Sequence, residues 1–216
     1  MRFSVMNRVL NYISALKVDE IFTTRDLLQF GPRGSIDEAT STLVNEGYTI
    51  RLARGVFVRY RPKMRMISIH EVAAVKAAAF GRRIIRHAAD CAYDMGLVDK
   101  GSRAVAYETD GHSSRFRSRG RWVIFKGTSA RKMQMADEFA GIALRGLVYL
   151  RKKSVSRKVV ESVKQKLNRF ELFRVQQFAM YAPAWLTEYF FPYRRPPVRV
   201  MNSYVDDFRD FRAMRC

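Results

Sequence analysis

Two short strand-like runs, Tyr48 to Ala53 and Val56 to Tyr60, are joined by Arg54-Gly55, so the chain must fold back on itself there as a tight hairpin. What precedes the hairpin has a different period. Val5, Val9, Tyr12, Ile13 and Leu16 recur at helical spacing, which predicts an amphipathic opening helix. Ile21 and Phe22 read as a short extended piece. Thr23 or Thr24 can then cap a brief helix carrying Leu27, Leu28 and Phe30, stopped by Gly31 and Pro32. Ser35 and Glu38 have capping-box spacing in front of Ile36, Ala39, Leu43 and Val44, and Gly47 ends that helix. Two short helices around a glycine-containing turn, followed by a hairpin, are the outline of a winged helix-turn-helix over residues 1–66.

Residues 67–216 read as a larger α+β domain. Ser68 caps a helix through Val72, Val75 and Ala79, Arg82 to Arg86 is a short strand, and a helix follows over Ala88 to Met95. Ala104 to Glu108, Phe116 to Ser118 and Trp122 to Lys126 are strand-like and separated by Asp110-Gly111 and Arg119-Gly120, which predicts a small antiparallel sheet. From Met135 on the spacing is helical: Met135 to Tyr149, Ser156 to Leu167, Leu172 to Met180 and Trp185 to Phe191, with Pro183 and Pro192 as breaks. Trp122 and Trp185 are expected as core anchors, and Met133 and Met135 as packing residues.

Forty lysines and arginines face twenty acidic residues, a net charge of +20 that calls for a polyanion. The excess runs through the whole chain, so it assigns no single binding segment; scattered basic residues also serve as an ordinary solvated surface. Cys91 and Cys216 fit no metal spacing, and no glycine-rich phosphate loop is present, so neither metal nor cofactor is expected. Asn7, Arg8, Asn11 and Ser14 interrupt the first apolar stretch, which excludes a signal core or membrane span there and makes a reducing cytoplasm the expected setting.

The segment FTTRDLLQFGPRGSIDEATSTLVNEGYTIRLARGVFVRY resembles the winged helix-turn-helix head of AbiEi-type antitoxins, most closely from Leu43 to Phe57. Three later segments resemble the C-terminal antitoxin region of that family: VAYETDGHSSRFRSRGRWVIFKGTSARKM, LRGLVYLRKKSVSRKVVESVKQKL and YAPAWLTEYF. The resemblance covers most of residues 20–191 and leaves the tail after Pro196 outside it. It implies a type IV toxin-antitoxin role, in which the head binds the operator DNA of its own operon as a repressor and the body opposes a nucleotidyltransferase-like toxin.

On that reading, double-stranded DNA is met by Arg33, Ser35, Ser41, Thr42 and Asn45 on and before the second helix, and by Arg51, Arg54, Arg59 and Arg61 on the hairpin. Asp37 and Glu38 keep the helix face from being basic. A second basic surface is expected from Arg115, Arg117, Arg119 and Arg121, which alternate along an extended stretch, with Lys126, Arg131 and Lys132. Neither oligomeric state nor operator sequence can be read from these residues. Two alternatives stand beside this reading. One is a stand-alone transcription regulator whose body dimerises or senses a ligand; the other is a metal-dependent nucleic-acid enzyme built on Glu108, Asp110 and Lys126. The last lacks the usual acidic-x-lysine step, and His70, His87 and His112 have no ligand partner at useful spacing, so no catalytic residue is assigned.

Overall fold

The computed structural model describes residues 4–135 and 139–191. It is α+β. In chain order the elements are α1 (Val5–Ala15), β1 (Ile21–Thr23), a 3-10 turn (Leu28–Phe30), α2 (Arg33–Asn45), β2 (Thr49–Ala53), β3 (Val56–Arg59), α3 (Ile69–Ala78), β4 (Ile84–Arg86) and α4 (Ala88–Asp94). Then follow β5 (Val105–Thr109), β6 (Ser114–Ser118), β7 (Arg121–Gly127), α5 (Ala130–Met133), α6 (Phe139–Ser154), α7 (Arg157–Lys164), α8 (Arg169–Ala179) and α9 (Ala184–Phe190). The tail after Pro196 lies outside the described residues.

Local chemistry explains most of the boundaries, with two corrections. The Ser35–Glu38 capping box does not form, because α2 starts three residues earlier behind Pro32, whose fixed φ already suits helix entry. Ser35 is therefore inside the first turn. The brief helix expected after Thr24 is only the 3-10 turn, since the Asp26 carboxylate accepts from both the amide and the hydroxyl of Thr23 and holds a tight turn instead. Ser68 does cap α3, in a reciprocal box with Glu71. There the Arg65 guanidinium and the Ser68 donors hold the Glu71 carboxyl down at about 2.

The hairpin and the expected small sheet are one continuous seven-stranded sheet, ordered β1-β3-β2-β6-β7-β5-β4. This corrects two expectations. The sheet is larger, because β2 pairs with β6 at Ala53 and Ser118 and the Ser118 hydroxyl donates to the Leu52 carbonyl at 2.8 Å. It is also mixed rather than antiparallel, because β7 lies between β6 and β5 and pairs in parallel with β5. Asp110-Gly111 is thus no hairpin turn: Asp110 accepts from the amide and guanidinium of Arg83 and ties the end of β5 to the chain entering β4. Arg119-Gly120, with both φ positive, is the two-residue turn expected between β6 and β7.

Alternation along the strands gives the sheet two faces. On one, Leu52, Val56, Val58, Tyr107, Phe116, Val123 and Phe125 form a core with Val72, Ala73 and Ala77 of α3. That core spans residue 66. On the other face, Phe22 and Phe57 pack under α1 and α2 at one end of the sheet. At its other end Glu108 meets α4 and α6, through the Ala88 amide and Arg145. Helices α6 to α9 close around Leu144, Leu147, Val160, Val163, Val175 and Leu186. Between the two helical groups, Arg115 and Arg117 of β6 and Trp122 of β7 are exposed among the described residues on this second face.

Candidate nucleic-acid interface

The expected head residues divide into those that remain available and those already engaged. Arg33 is paired with Asp37 one turn on, at 2.9 Å, and the Ser41 hydroxyl donates to the Asp37 carbonyl, so the start of α2 carries no unpaired cation at Arg33. Ser35 and Thr42 are half-buried, and Asn45 is exposed at the end of the helix. Arg51, on the same face of the sheet as Phe57, lies over that ring at 5.4 Å and reaches toward Ser41. Arg54 is exposed at the hairpin turn. The turn itself is docked: the Gly55 carbonyl accepts from the Thr24 amide, and the Arg54 carbonyl accepts from Lys76 of α3 at 2.7 Å. Arg54 shares a cleft there with Arg25, Arg33 and Lys76.

Arg59 and Arg61 do something else. Their guanidiniums donate to the carbonyls of Ser14 and Leu16, where α1 ends with its last carbonyls unpaired. A cation at that end also suits the helix dipole. Both therefore hold α1 to the hairpin, a role that only the packing of α1 reveals.

The expected row of four arginines is split by the Arg119-Gly120 turn. Register places Arg115 and Arg117 on the open second face, opposite Ile124 and Trp122. Arg121 pairs with Ser118 and so belongs to the opposite face, where it lines a cleft with His70, Arg86 and Tyr107. Trp122 is not a core anchor. It is 43% exposed, with the guanidiniums of Arg115 and Arg117 at 5.0 and 4.9 Å from its ring. Two cations beside an exposed indole make a platform suited to phosphates and to a stacked base.

Beside this platform, Lys126 lies opposite Glu108 in the β5–β7 register, and both line a cavity of about 580 Å³ roofed by α6. Lys132, His87, Arg145 and Arg151 line it as well. Arg131 does not: its guanidinium donates to the carbonyls of Met180, Tyr181 and Ala182 at the end of α8. His87 caps α4, its Nδ1 accepting from the Ala89 amide and contacting the Ser102 hydroxyl. Burial holds this imidazole below its ordinary range, against the opposing pull of Glu108. The cavity is set by close packing of α6 on α4: a side chain at Gly146 would come within 3.1 Å of the Ala92 Cα and the Cys91 carbonyl.

Arg145 and Trp122 are the residues whose role the sequence did not show. The signal for Arg145 was a single charge inside the apolar run from Phe139 to Leu150, a position where a solvated arginine is out of place. Glu108, Asp110 and Lys126 do not converge, since Asp110 is held by Arg83, and no cluster of three or more His, Cys, Asp or Glu residues with metal-holding geometry occurs among the described residues. No helix among them is long and apolar enough to cross a membrane.

Fold and surface together define a basic α+β protein with a helical head and an open, cation-lined sheet face. The chain belongs to the family of unknown function DUF6088, which matches residues 8–174, from α1 into α8. No curated protein matches the chain.

Proposed function

We propose that the protein is a DNA-binding regulator whose residues 1–66 act as a winged helix-turn-helix, and that it is an AbiEi-like antitoxin. The observation that carries the DNA-binding half is the order α1, β1, turn, α2, β2, β3 with strands arranged β1-β3-β2. It puts α2 and the arginine-bearing hairpin side by side, as groove and backbone contact require. Asn45, Arg51 and Arg54 are the head residues left to touch DNA. Arg115, Arg117 and Trp122 extend the same sheet face. The antitoxin half, with a nucleotidyltransferase-like toxin as partner of residues 67–216, rests on the family resemblance. A second reading, a stand-alone regulator whose body senses a ligand, draws its support from the cavity under α6.

Fluorescence anisotropy with DNA from upstream of the gene and with a scrambled duplex, at two salt concentrations, tests the proposal. A preference of about a thousandfold or more for the upstream DNA is expected. Arg54→Ala should weaken both duplexes alike and flatten the salt slope by about one, as loss of a phosphate contact does. Equal, steeply salt-dependent binding to both duplexes would reduce the protein to a nonspecific polycation.

A further inference from the structure

We infer that the cavity under α6 is a binding site for a phosphorylated small molecule, with a pyrophosphate-bearing nucleotide as the chemical class it fits. Among the described residues, four cationic side chains line it, Lys126, Lys132, Arg145 and Arg151, against the single carboxylate of Glu108. Arg145 carries the argument. It is 2% exposed, and among the described residues none of its three guanidinium nitrogens has a hydrogen-bond partner. Its ion-pair partner among the described residues, Glu108, stands at 3.7 Å and spends its other oxygen on the Ala88 amide. Burying a guanidinium costs free energy unless acceptors meet its donors, and a distant carboxylate leaves most of that cost standing. Phosphate oxygens match the guanidinium fork bidentately, and the two lysines at the mouth supply point charges to the same group.

Size and lining extend the assignment beyond inorganic phosphate. A volume of about 580 Å³ falls in the range of small-molecule sites. Met135, Val148, Tyr149 and Leu150 give it an apolar side on which a base or sugar can rest. Arg151 is held at φ 64, ψ 160, a backbone conformation almost confined to glycine, just where α6 kinks beside the cavity. Such strain persists only where the surroundings enforce it, and here it turns a fourth cation toward the same space. The site does not depend on the DNA-binding reading, because neither Arg115, Arg117 nor any head residue lines it.

The test is isothermal titration calorimetry of the full chain with inorganic pyrophosphate and with ATP and GTP. Saturable binding near one per chain is expected, with a nucleotide bound more tightly than pyrophosphate. The double variant Lys126→Ala, Lys132→Ala alters exposed side chains and should lower affinity at least tenfold with an unchanged melting temperature. Arg145→Lys, which keeps the buried charge but loses the fork, should lower it too. Arg115→Ala with Arg117→Ala should leave it unchanged while weakening DNA, so the two readings fail separately. Absence of binding by pyrophosphate and both nucleotides, or binding that survives the lysine double variant, would overturn the assignment. So would binding confined to polymeric nucleic acid.

Discussion

His87 is the side chain whose ionisation the fold constrains most usefully. Its Nδ1 accepts from the Ala89 amide, which only a ring unprotonated at that atom can do, and burial favours the neutral form. The folded-state value therefore lies below the unfolded one, so the unfolded chain binds more protons between the two. The stabilising contribution is complete above the unfolded value of about 6.5 and is lost as the pH falls through the folded value. Lowering the pH from about 7.5 to about 5.5 should reduce the melting temperature, and His87→Asn, which keeps a capping acceptor, should remove most of that dependence. A wild-type melting temperature flat over this range would show that the imidazole is free to protonate. Arg59 makes a related point. Its place in the hairpin led to the expectation of a DNA contact, yet its guanidinium is committed to the Ser14 carbonyl, and nothing within the hairpin segment announces that.

Helix α6 shows how an element can be legible while its neighbour is not. Its apolar spacing predicts a helix, but α4 lies some fifty residues earlier and their contact appears only when both stand over the same end of the sheet. The closeness of that contact separates two substitutions at Gly146. Alanine gains about 1 kcal/mol in helix propensity, which offsets much of the strain of meeting the Ala92 backbone at 3.1 Å. Valine gains less and overpacks more, so Gly146→Val should cost about 1 to 3 kcal/mol in denaturant unfolding, with Gly146→Ala near neutral. Equal tolerance of both would mean that the helices do not pack this closely. The same packing buries Arg145 and shapes the cavity. Strand β7 teaches the complementary lesson: its period and its turn with β6 are local, whereas its parallel pairing with β5 is a long-range choice.

Across the chain, the face of the head sheet that carries Leu52, Val56 and Val58 is covered by α3 and shares its core with Phe116 and Val123. The head is thus not closed at residue 66. A fragment ending at Met66 should unfold at lower denaturant and less cooperatively than one ending at Gly81, which retains α3 and the Lys76 contact to the Arg54 carbonyl. Matching transitions would show that α3 adds nothing to the head. The elements themselves were readable from residue spacing, because helical and strand periods, the helix cap at Ser68 and the Arg119-Gly120 turn depend on neighbours a few positions away. So were the +20 charge and the basic hairpin. The single seven-stranded sheet, the splitting of the arginine row, the exposure of Trp122 and the burial of Arg145 were not, because each depends on which distant segment covers which face. Periodicity says that a side chain alternates or repeats; only the packing of remote elements says what it meets.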